Sequence, residues 1–277
     1  MTPLTIDIGM NPEIITIVGL LISWHGVFTA VGIGAGLWLA LRLLAARGAD
    51  PDDAYTLGLV VVIGGIIGAR LLYVAENWSR FEGNFGGIIA INEGGISIYG
   101  AVIGGIVAGF AFGAYQKSRV SLLTIGDAGA AGGILGMAIG RIGDIINGEH
   151  FAEASGLPWA VRYTHVNSPG IGLPPQHPAV AYEMLGDLAI LGLLLFLWTR
   201  VGRPGVGFFT WVLAYGAMRF FLSFLREDKL VLDGLRMAQV VAVVAIITGV
   251  GGLIWLLTHR TPAGPSRAER RRTAAGR

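Results

Sequence analysis

Residues 138–150 read AIGRIGDIINGEH. An apolar, glycine-bearing run ends by gathering Arg141, Asp144, Asn147, Glu149 and His150 within ten residues. Such a stretch reads as the end of a membrane-crossing helix, where the chain passes from hydrocarbon to water. The rest of the chain agrees with that medium. Of 277 residues, 53% are hydrophobic and only 14% charged, against about a quarter charged in soluble domains. Mean hydropathy is +0.66. This balance excludes an ordinary soluble globular fold and predicts an all-α integral membrane protein.

A helix needs about 20 apolar residues to cross a bilayer. Seven stretches satisfy this: 14–45, 56–76, 95–115, 124–147, 179–199, 206–226 and 236–258. The segment 148–178 is longer than the other connections. It holds Pro158, Pro169, Pro174, Pro175 and Pro178, which predicts a small irregular head domain outside the bilayer. Basic residues orient the set, because cytoplasmic loops carry the excess of Lys and Arg. Arg42, Arg47, Lys117, Arg119, Arg200, Arg203 and the arginines from Arg260 to Arg277 fall on one side. Arg80, Arg162, Arg226, Lys229 and Arg236 fall on the other. The N-terminus is therefore expected outside and the C-terminus in the cytoplasm. The tail 259–277 reads as a disordered basic anchor beside an anionic leaflet, with no nucleic-acid role. The start lacks a basic n-region and carries Asp7 and Glu13, so no cleavable signal peptide is expected. With no cysteine in the chain, there is no disulfide, no thiolate metal site and no cysteine nucleophile. Neither a metal nor a cofactor is expected.

Glycines at four-residue spacing, Gly100–Gly104, Gly105–Gly109–Gly113 and Gly132–Gly136–Gly140, predict close helix packing. The absence of an internal repeat argues against a transporter built from inverted halves.

Arg70, Arg141 and Arg219 sit inside spans two, four and six. A central arginine costs about 2.5–3.5 kcal/mol on insertion scales and faces a partner or a wet cavity. All three lie at a similar depth below the outer boundary, which predicts one site opening to the outer leaflet. Tyr73, Asp144, Asn147, Glu149 and Tyr99 add polar groups near that level, and His25 lies within span one. A guanidinium fork matches phosphate oxygens and keeps its charge when buried. The residues alone thus lead to a protein that binds a phospholipid headgroup, without fixing a reaction.

A resemblance goes further. GRIGDIINGEHFAEASGLPWAVRY, residues 140–163, resembles the signature GRxGNFxNGExxG of prolipoprotein diacylglyceryl transferases. SWHGVFTAVGI, GARLLYV, GGISIYGAVIGG, QHPAVAYE, YGAMRFFLSFLRED and GLRMAQ resemble further family segments in the same order. The resemblance implies seven helices with an external head, in the bacterial cytoplasmic (inner) membrane. It implies transfer of a diacylglyceryl group from phosphatidylglycerol to the lipobox cysteine of a prolipoprotein, by a protein expected to be a monomer. Arg141 and Arg219 would be catalytic, with His25 and Tyr99. Arg70, Arg141, Asp144, Asn147, Glu149, Tyr215 and Arg219 would bind the headgroup.

Four positions depart from the pattern. His25 stands where the family has Tyr, Tyr99 where it has His, Asp144 where it has Asn and Ser223 where it has Glu. The first two read as a pair exchanged between helices one and three. The other two conserve charge, so Asp144 is expected to partner Arg219 or Arg141 in place of the missing glutamate. The alternatives are a divergent lipid-binding paralogue and, from another class, a polytopic transporter.

Overall fold

A computed structural model describes residues 5–17, 20–90, 94–116, 120–227, 230–232 and 234–259. The basic tail beyond residue 259, Lys117, Arg119 and Lys229 lie outside the described residues. Three short strands, β1 (Thr5–Ile8), β2 (Glu13–Ile17) and β3 (Leu20–Ser23), precede α1 (Trp24–Ala46). Then come α2 (Pro51–Glu76), the short α3 (Phe85–Ile89), α4 (Ile98–Tyr115), α5 (Leu122–Asn147) and β4 (Ala160–Tyr163). The chain continues with α6 (Ala179–Arg200), α7 (Val206–Leu222), β5 (Leu230–Leu232), β6 (Leu235–Arg236) and α8 (Met237–Thr258). Seven of these helices are long and apolar enough to cross a membrane. Their outward faces carry large apolar side chains, such as Ile63, Ile67 and Leu71 on α2 and Val244, Ile247 and Leu257 on α8. That is how a chain solvated by lipid meets its surroundings, since a helix satisfies its own backbone and needs no polar solvent. The protein is a multi-pass membrane protein.

The first span is corrected. A helix over 14–45 would be about 48 Å long at 1.5 Å per residue, well beyond a hydrocarbon core of about 30 Å. Residues 24–46 suffice to cross. The β-branched run Ile14-Ile15-Thr16-Ile17 instead pairs antiparallel with Leu20–Ser23, as such residues favour strands. Helix α2 begins earlier than expected because Asp50 caps it, accepting from the Asp52 N–H, with Pro51 in the first turn.

The chain divides into two compact units, one formed by residues up to Leu39 and from Gly129 onward, the other by Ala40–Ala128. In the first unit α1 and α5 meet through glycines. A Cβ on Gly32 would come within 2.5 Å of the Gly136 carbonyl oxygen, and one on Gly36 would strike Gly132. The second unit repeats the device with Gly64 and Gly68 of α2 against Gly100 and Gly104 of α4. Gly140 faces open space, so the stripe on α5 packs through two of its three members.

The 148–178 segment is irregular apart from β4, which pairs parallel with β1. Gly148 ends α5 in the left-handed conformation at φ 76°. Its N–H donates to the Asp144 carbonyl, and a Cβ there would collide with Tyr163 and Ser168. The Tyr163 hydroxyl donates to the Ile145 carbonyl at 3.1 Å and Ser168 Oγ to that of Asn147 at 3.2 Å. Those two bonds satisfy carbonyls that the helix end leaves open. Burial pushes the Tyr163 hydroxyl pKa up to about 12.

Candidate active site: a buried arginine–carboxylate cluster

The site lies in the first unit and is built on Glu183, in the second turn of α6 and fully buried. Its Oε1 accepts from Arg141 Nη2 at 2.5 Å and from the Tyr215 hydroxyl at 3.1 Å. Its Oε2 faces Arg226 Nη1 at 3.5 Å and Arg219 Nη1 at 3.7 Å. Three guanidiniums from α5, α7 and the chain just after α7 thus converge on one carboxylate. Arg141 also donates through Nη1 to Asp144 Oδ2 at 2.8 Å. An isolated ion buried in this way would cost several kcal/mol, and the shared pairing offsets that cost.

Asp144 is the second anion of the cluster and is 4% exposed. Its Oδ1 accepts from His25 Nδ1 at 2.6 Å, and His150 Nε2 stands 3.4 Å from Oδ2. His25 reaches it because α1 and α5 nearly touch there: a Cβ on Gly143 would lie 2.6 Å from the His25 Cα. On the far side of His150, Arg226 Nη2 donates to its Nδ1 at 3.0 Å.

The expected partnership of Asp144 resolves in favour of Arg141, while Arg219 shares Glu183. Ser223 is fully buried. Its hydroxyl donates to the Arg219 carbonyl at 2.7 Å. Asn147 ends α5, half-buried, and Glu149 is exposed just beyond it. The structure therefore brings together Arg141, Arg219, Tyr215, Asp144 and His25.

Arg70 is placed differently, in the second unit. It is 5% exposed. Its Nε donates to the Ile88 carbonyl at 2.8 Å and its Nη2 to that of Gly87 at 2.5 Å. Nη1 donates to Gly94 at 2.5 Å and to Gly95 at 2.7 Å. Among the described residues, four of its five N–H groups are committed to backbone. The guanidinium also lies 5.6 Å and 5.4 Å from the ring centroids of Tyr73 and Phe81. Within its own unit Arg70 ties down a loop, and no carboxylate pairs with it among the described residues. Tyr99, half-buried in the first turn of α4, also belongs to the second unit.

Glu183 and Arg226 escaped the reading of the site from sequence. An acid within an apolar span marks a site as readily as an arginine does, and Glu183 was open to that argument. Arg226 follows Arg219 by seven residues, a spacing that returns to the same helix face. Asp187, one turn beyond Glu183, is likewise fully buried, and neither of its oxygens has a hydrogen bond among the described residues.

His25, Asp144 and Glu149 hold one possible metal-ligand atom each within 4.8 Å of one another. Asp144 is already shared by an imidazole and a guanidinium, and the charge of Arg141 beside it opposes a cation.

The fold and site define a polytopic membrane protein in which buried arginines converge on carboxylates, an arrangement suited to an anionic lipid. The family model described as prolipoprotein diacylglyceryl transferase matches residues 12–255. Proteins named phosphatidylglycerol–prolipoprotein diacylglyceryl transferase are similar over most of the chain. The one from Gloeobacter violaceus is 39% identical over 251 residues, covering 89% of this chain and 93% of the relative. Those from Thermosynechococcus vestitus and Clostridioides difficile are 38% and 32% identical, covering 87% and 89% of this chain and 91% and 96% of their own. The chain belongs to the prolipoprotein diacylglyceryl transferase family.

Proposed function

We propose that the protein transfers a diacylglyceryl group from phosphatidylglycerol to the lipobox cysteine of prolipoproteins, forming a thioether and releasing glycerol phosphate. The observation that carries this reading is how the charges are layered. Glu183 is fully buried, whereas Arg141 and Arg219 keep 18% and 16% of their side chains exposed. The carboxylate holds the two arginines from the buried side, and an anion would meet the part of each side chain that stays exposed. Substrate thiol attacks the glycerol carbon that bears the phosphate. The carbon–oxygen bond breaks and its electron pair leaves with the phosphate. Negative charge develops on that leaving group, and preorganised donors in a water-poor site stabilise it most. Arg141 and Arg219 are the donors placed for this, with Tyr215 steadying Glu183. Asn147 and Glu149 contact the glycerol of the headgroup at the rim. His25 takes the thiol proton, because the thiolate is the nucleophile. Tyr99 contributes a hydroxyl to the substrate.

In this reading the N-terminus and the 148–178 head lie outside, and the tail lies in the cytoplasm. The protein works as a monomer in the bacterial cytoplasmic membrane. The transporter reading loses support, since the relatives are named as transferases.

The test is reconstitution with phosphatidylglycerol and a lipobox peptide, scored by the mass gained on cysteine. Arg141→Ala is expected to lower the rate by about a thousandfold, the size of one lost oxyanion donor or more. An unchanged rate would remove Arg141 from the chemistry.

A further inference from the structure

Two histidines meet the same carboxylate, and hydrogen-bond chemistry tells them apart. His150 Nδ1 faces a guanidinium nitrogen of Arg226 at 3.0 Å. A guanidinium has donors only, so Nδ1 must accept. The ring proton of a neutral His150 then sits on Nε2, which points to Asp144 Oδ2 at 3.4 Å. Both nitrogens of His150 are occupied, and neither offers a lone pair. His25 is the reverse case. Its Nδ1 faces Asp144 Oδ1 at 2.6 Å, and an ionised carboxylate only accepts. The proton therefore sits on Nδ1, and Nε2 carries the lone pair. No hydrogen bond engages Nε2 among the described residues, and the side chain is 44% exposed against 26% for His150.

We infer that Asp144 is a positioning residue that, together with Arg226, sorts the two imidazoles: His25 is held as the Nδ1–H tautomer with its base at Nε2, and His150 as the Nε2–H tautomer with none. The inference rests on the transferase reading above. In the reaction the thiol proton passes to His25 Nε2 and the sulfur pair forms the new carbon–sulfur bond. The bond to the phosphate oxygen breaks with its electrons on that oxygen. The proton then leaves the imidazolium for glycerol phosphate or water. Asp144 stays ionised and holds the imidazolium by its Nδ1–H, as orienting carboxylates do for catalytic histidines. Arg141 shares the other oxygen of Asp144, so one acid couples the phosphate-binding guanidinium to the base. Gly143 permits the arrangement by letting the first turn of α1 lie against α5.

The test is ¹⁵N NMR of histidine-labelled protein in lipid at neutral pH, with ring signals assigned by their loss in His25→Gln and His150→Gln. His25 is expected as Nδ1–H and His150 as Nε2–H. Asp144→Asn should shift His25 towards the Nε2–H form and lower kcat by about a hundredfold, the low end for a general base. Asp144→Glu should restore the tautomer and part of the rate. His25→Gln should lose at least as much, whereas His150→Gln should stay within about threefold of wild type. A wild-type His25 found as Nε2–H or doubly protonated would overturn the assignment, as would a wild-type rate in His25→Gln. Absence of any mass gain on the peptide with wild-type protein would instead overturn the transferase reading. The tautomer spectrum needs no turnover, so the assignment at Asp144 is decided separately.

Discussion

Arg70 and Arg141 are both arginines near the end of an apolar helix, yet the protein treats them in opposite ways. Backbone carbonyls take four of the N–H groups of Arg70. Carbonyls satisfy donors but do not cancel charge, so this arginine shapes a loop. Arg141 is gripped by two carboxylates, Glu183 and Asp144. These supply counter-charge from the buried side, and the Arg141 side chain keeps 18% of its surface exposed. The contrast teaches that an arginine within a span is not by itself a ligand for phosphate. What matters is whether its partners consume its geometry or only steady it.

The most damaging way to break the comparison is to remove the hub. Glu183→Gln would leave Arg141, Arg219 and Arg226 without their shared anion. Breaking a buried pair from one side costs about 3–5 kcal/mol, so a large fall in the unfolding midpoint in detergent is expected, together with loss of transfer. A variant as stable as wild type would mean that the arginines do not depend on Glu183. Arg70→Lys sharpens the other half. Lysine has three donors and no planar fork, so at least one carbonyl contact is lost. The expected cost is about 1–3 kcal/mol of stability, with KM for phosphatidylglycerol little changed. A tenfold rise in KM at unchanged stability would assign Arg70 to the headgroup site.

Two smaller effects test the segment that follows α5. The Tyr163 hydroxyl, 6% exposed, has its pKa raised from 10.0 to about 12 by burial. An acid raised on folding stabilises below its unfolded pKa, and that contribution fades as pH climbs through the folded one. Wild-type stability should therefore drop between about pH 10 and 12, by on the order of 2 kcal/mol. Tyr163→Phe should flatten that part of a pH–denaturation curve. Asp7 gives the least. Its two oxygens take Arg162 Nε at 3.0 Å and Nη2 at 2.8 Å, which joins β1 to β4. The hydrogen bond from Arg162 holds its carboxyl below the usual range. Any stabilisation is present above the unfolded pKa and is lost as pH falls through the lowered one. Asp7→Asn should remove that acid limb and give up the same small contribution at neutral pH, so that the two proteins converge in acid.

Much of this was open to sequence reading, for a reason that also marks its limit. Hydropathy over a window reports a local quantity, so seven apolar segments were legible, as was the irregular stretch after residue 147. Residues 14–23 were not, because an apolar run next to a span looks like more span. Only the pairing of Ile14–Ile17 with Leu20–Ser23 separates it. The glycine stripes announced close packing but not the partners, which are Gly32 and Gly36 for α5 and Gly64 and Gly68 for α4.

By itself, then, the sequence determined that the chain crosses a bilayer, that arginines lie within spans, and that its motifs resemble one family. Tertiary structure decided which charge meets which. Arg141 finds Glu183 42 residues away, and His25 finds Asp144 119 residues away. Those pairings depend on helix rotation and close approach, for which the glycine at 143 makes room. Nothing in the order of residues reports a distance between helices, whereas hydrophobic length is written along one helix alone.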